Sequence, residues 1–106
     1  MDVPINEPNA EYLYADPLGF EMFVIDEGFE DLFNSLVAIY YRLYLKESMK
    51  ENANIEKAAA FLKQSTEMNH FKRAFGYRAW EEKKKAIVDY SPKYKELLHL
   101  ESIEYS

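Results

Sequence analysis

The sequence predicts an all-α protein, a compact bundle of four to five helices built around a long, very apolar central helix. Three observations carry that expectation. Apolar residues recur at alternating four- and three-residue steps through the first half of the chain. Glycine and proline are scarce, three and four among 106 residues, which disfavours a turn-rich β-sandwich or a disordered linker. Helix-start signals at Asp16-Pro17, Asn54 and Ser91-Pro92 each precede an apolar stretch. The length fits a single domain over 1–106.

Residues 1–10 ("MDVPINEPNA") have two prolines, two asparagines and no periodicity, so they read as a flexible or extended N-terminal tail. Asp16 then suits an N-cap with Pro17 at the first helical position. From there Leu18, Met22, Ile25, Phe29, Leu32, Leu36, Ile39 and Leu43 form one continuous stripe. Asp26, Glu27, Glu30 and Asp31 fall on the opposite side, as solvated charges should. A rival reading places a short β-hairpin at 11–26, turning on Asp-Pro-Leu-Gly. The sustained stripe favours helix, with Gly28 a point where it could divide.

From Phe33 onward the apolar arc widens to include Val37, Tyr40, Tyr41 and Tyr44. A helix this apolar belongs at the centre of the bundle or, through 32–45, in a homodimer interface. Asn54 caps the next helix, whose inner face is expected to hold Ile55, Ala58, Ala59 and Leu62. A further helix is expected over 70–88, continuous through Gly76, and Ser91-Pro92 opens a last short one carrying Leu97, Leu98, Leu100 and Ile103.

Charge is unevenly distributed. The formal net charge is −6, yet residues 1–31 hold nine acids and no Lys or Arg, while 70–85 hold six bases and two acids. Either the acidic front neutralises the basic segment within one fold, or the segment meets a partner. The chain has no cysteine, which removes disulfides, thiolate metal sites and cysteine nucleophiles. The chain opens on neither a basic nor an apolar run, and the apolar stretch 32–45 is too short for a bilayer span. A soluble, cytoplasmic protein is expected.

The stretch "NHFKRAFGYRAW" (69–80) is the most distinctive. On a continuous helix Phe71, Phe75, Ala79 and Ala86 would line a core face, and Arg73, Tyr77, Trp80 and Lys84 a second face. Tyr, Trp and Arg dominate protein-interface hot spots because each joins large apolar area to a polar handle. The same types stack on bases and neutralise phosphates in single-strand binding.

Chemistry-bearing motifs are few. Glu67/His70 and Glu96/His99 each have the three-residue spacing used in di-iron helical bundles, but Lys72 and Arg73 beside His70 would repel a cation. No serine sits in a nucleophile elbow and no glycine-rich phosphate loop is present. The sequence therefore reads as a non-catalytic helical protein-binding module needing no cofactor, an adaptor, regulator or inhibitor of another protein. Arg73, Tyr77, Trp80 and Lys84 are its expected contacts. The alternatives are nucleic-acid association through 70–85 and, below it, a metal-carboxylate protein.

Overall fold

A computed structural model describes residues 17–75 and 79–105, with side-chain surroundings from Glu21 onward. The expected tail at 1–10 lies outside the described residues, as do residues 11–16 of the alternative hairpin. From Pro17 on, that segment is helical. Among the described residues there are three helices and no strand: α1 (Pro17–Ser48), α2 (Ile55–Arg73) and α3 (Trp80–Glu104). The compact helical class is as the sequence predicts, but the count of four to five is not.

Two local signals account for the difference. Gly28 does not divide α1, which runs 32 residues, about 48 Å at 1.5 Å per residue. Ser91-Pro92 starts no helix, since Pro92 lies inside α3. Proline there removes one i→i−4 hydrogen bond, and packing on either side carries the helix across the gap. The expected continuity through Gly76 also fails. The helix ends at Arg73, and Ala74 donates to the His70 carbonyl at 3.1 Å. Phe75, just beyond the helix, places its ring 4.8 Å from that of Phe29. Lys72 and Arg73 close α2 where cations suit the helix dipole, and Glu81 and Glu82 open α3 where acids do.

Both α2 and α3 pack along α1, so the predicted central helix is central. Its stripe forms the core: Ile25, Phe29, Phe33, Leu36, Ile39, Tyr40 and Leu43 are buried. Around Phe33 the rings of Phe29, Phe71 and Tyr90 lie 4.6, 5.3 and 5.2 Å away, in stacked and edge-on pairs that add to simple burial. Most of the large apolar side chains of 32–45 are buried or half-buried within the chain, leaving Tyr41 and Leu45 as its exposed ones.

On α2 the expected inner face is rotated. Ala58, Phe61, Ser65 and Met68 face inward at steps of three, four and three, whereas Ile55 is 81% exposed and Ala59 and Leu62 are also exposed. Asn54 caps the helix as predicted, accepting from the Lys57 amide at 3.0 Å. The orientation of α2 is further tied by Ser65, whose hydroxyl donates to the Val37 carbonyl at 2.8 Å. On α3, Ala86 and Leu97 are buried and Leu100 half-buried, but Leu98 and Ile103 face outward. No helix among the described residues is long and apolar enough to cross a membrane.

Candidate binding surface

The four side chains read from the sequence as one face do not share a helix. Arg73 is exposed in the last turn of α2; Trp80 is half-buried at the first residue of α3; Lys84 is exposed one turn later. Tyr77 lies outside the described residues. The structure keeps Trp80 and Lys84 together, with the ammonium 5.8 Å from the indole ring, and puts Arg73 on another element.

The basic segment faces the acidic first half of α1. Lys72 pairs with Glu30 at 3.0 Å and donates to the Asn34 amide oxygen at 2.8 Å. Lys83 pairs with Asp26 at 3.2 Å and lies over the Phe29 ring; Lys84 pairs with Glu21 at 3.3 Å. These are mostly exposed pairs, each worth little in stability. Their importance is electrostatic: three of the six bases in 70–85, Lys72, Lys83 and Lys84, are answered by the chain's own carboxylates.

The histidine pairs are not brought together. Glu67 and His70 stand exposed on α2, Glu96 and His99 exposed on α3, and no group of three or more potential metal ligands occurs among the described residues.

The most constrained polar cluster is one the sequence reading did not single out. Glu47 continues the core stripe of Leu36, Tyr40 and Leu43 and is 2% exposed. One carboxylate oxygen accepts from the Tyr105 hydroxyl at 2.6 Å, the other from the Asn54 amide at 3.0 Å, and Lys50 approaches at 3.3 Å. The Tyr105 hydrogen bond first, then the Asn54 amide, hold its pKa down to about 2. Burial and the same hydrogen bond push the Tyr105 phenol up. Beside it Glu101 takes a two-point contact from Arg42, at 2.9 and 3.0 Å, and one from Lys46 at 3.2 Å; the Arg42 contact leads in holding Glu101 at about 2. Every partner is a structural group joining α1, α2 and α3, and no buried side-chain polar atom among the described residues lacks a hydrogen bond. The signal for Glu47 was present in the sequence, as a charge standing on an apolar stripe.

The second feature is a groove of ≈ 290 Å³ between the end of α1 and the start of α2, lined by Tyr44, Ser48, Ala53, Ile55, Ala58, Ala59 and Leu62. Tyr41 extends it, its ring 5.6 Å from that of Tyr44. The small residues Ala53, Ala58 and Ala59 line it beside Ile55 and Leu62, which are exposed. Ile55, Ala59, Leu62, Thr66, Asn69 and Arg73 follow one another at steps of four and three, so Arg73 shares the outer face of α2 with this groove. Comparison with family models, with curated proteins and with solved structures finds no match to this chain.

Proposed function

We propose that this protein is a non-catalytic helical protein-binding module, acting as an adaptor, regulator or inhibitor by occupying a partner's surface through the outer face of the α1–α2 pair. The observation that carries this reading is the groove and its rim. Tyr41, Ile55 and Leu62 keep large apolar area in water beside Tyr44, and Arg73 extends the same face of α2. Exposed aromatic and aliphatic side chains around an apolar groove are the kind of surface that a partner's side chains pack into in a protein interface. The non-catalytic part rests on the two strongly shifted carboxylates, Glu47 and Glu101, both being committed to interhelix contacts. Trp80 and Lys84 form a separate ridge at the start of α3 and are the second surface to test.

The test is capture of a partner from native extract, followed by reconstitution from purified components. Ile55→Glu and Leu62→Glu, both at exposed positions, should leave the helical signal and melting temperature near wild type and weaken the reconstituted complex by about tenfold or more. Val88→Glu, at an exposed position of α3, serves as the control. Equal binding by all three variants would refute the groove as the contact surface. Loss only with Trp80→Ala and Lys84→Ala would move the contact to the ridge.

A further inference from the structure

The outer side of α2 carries two charges that the rest of the fold does not answer. Glu56 and Lys63 stand exposed on one flank of the helix, two turns or about 10 Å apart along its axis. Neither pairs with an opposite charge among the described residues, whereas Lys57 and Lys72 of the same helix reach Glu104 and Glu30. Between the two lie Ala59 and Ala60, both exposed. Beside them Ile55 and Leu62, 81% and 37% exposed, belong to the lining of the groove.

We propose that a second copy of this chain covers this face, the two α2 helices packing antiparallel about a two-fold axis close to Ala59. Residues equally far on either side of the axis then come level. Ile55 meets the partner's Leu62, and Glu56 meets the partner's Lys63, each contact occurring twice by symmetry. A parallel pair would instead set glutamate against glutamate and lysine against lysine, so the charges select the antiparallel arrangement. Alanines at the axis let the helices approach closely, and Ile55 and Leu62 gain cover that their own chain does not give them. A stable dimer uses about 20–30 residues a side. The outer face of a 19-residue helix and the adjoining groove supply roughly half of that, so the dimer forms in the range of about 10–100 μM. The inference rests on this face being a contact surface, and it names what covers the face in the protein alone.

Sedimentation equilibrium of the full chain at low salt, from about 5 to 500 μM, tests it. Wild type should pass from monomer to dimer across that range. Glu56→Lys and Lys63→Glu, both at exposed positions, should keep the circular dichroism of the fold and each raise the dimer dissociation constant about tenfold, since two attractive pairs become two repulsive ones. The double swap, and an equimolar mixture of the two single variants, restore opposite charges at both pairs and should dimerise like wild type. Ile55→Glu should remain monomeric throughout. The inference is overturned if wild type is a monomer at every concentration, if the single swaps dimerise as wild type does, or if the mixture fails to recover. Capture of a different protein does not require the Glu56–Lys63 order, so loss of the dimer with partner capture intact would overturn this inference and leave the binding role standing.

Discussion

Replacing Gly28 by alanine should make the protein more stable, and the size of the gain follows from where the glycine stands. It lies in the interior of α1, half-buried, facing α3. A Cβ built there meets Ile87 Cδ1 at 3.6 Å, an ordinary van der Waals contact, and nothing closer. Alanine is therefore accommodated without movement. Glycine in a helix interior costs ~1 kcal/mol relative to alanine, mostly through the greater freedom of the unfolded chain. The added methyl against Ile87 contributes up to about 0.5 kcal/mol more, since a fully buried methylene is worth ~0.8. The expected gain of about 1–1.5 kcal/mol corresponds to a rise of roughly 5–10 °C in melting temperature for a domain of this size. Thermal unfolding followed by circular dichroism, with urea unfolding to confirm an unchanged slope, is the assay. An unchanged or lowered midpoint would refute the reasoning, because it would mean that α1 is broken at Gly28 or that Ile87 sits elsewhere.

Phe33→Ala removes a fully buried ring from the centre of the aromatic cluster and should cost about 3–5 kcal/mol, a large part of an ordinary domain's stability, seen as a collapse of the urea midpoint. Acid should also destabilise the fold. Glu47 and Glu101 have native pKa values of about 2 against an ordinary 4.5, so the unfolded chain takes up protons first as pH falls. Their contribution is complete above pH 4.5 and disappears as pH approaches 2, and urea midpoints measured across that window should decline. Glu101→Gln should flatten the decline, and an equal slope in that variant would count against the Arg42 contact as its cause.

The parts of the fold legible in the sequence are those where one local rule governs. The stripe from Ile25 to Leu43 names the core because nothing competes with its periodicity, and Asn54 caps α2 because its side chain reaches the Lys57 amide without tertiary help. What was not legible depended on contacts between distant residues. Pro92 reads locally as a helix start, but Tyr90 on one side and Leu97 on the other are drawn to the same core and hold the helix across it. Phe75 reads as part of a continuous helix on the core face; its ring does pack on Phe29, but the helix has already ended at Arg73. The face of α2 was misjudged because alanines occupy 58, 59 and 60 in a row, so composition alone cannot tell which of them points inward. The proposed contact surface suffered accordingly: Arg73 and Trp80 share a face only if the chain stays helical between them. The groove came to light only once Ile55 and Leu62 proved to face water.

Glu47 also bears on the order in which the molecule assembles. Its bond to the Asn54 amide spans seven residues, whereas its bond to Tyr105 spans 58. Closing the longer loop costs about 2 kcal/mol more in chain entropy. Chain entropy alone thus favours closing the α1–α2 hairpin before α3 docks, with Glu47 then holding one oxygen engaged and one open to Tyr105. A single carboxylate thus joins a contact local in sequence to one that spans more than half the chain.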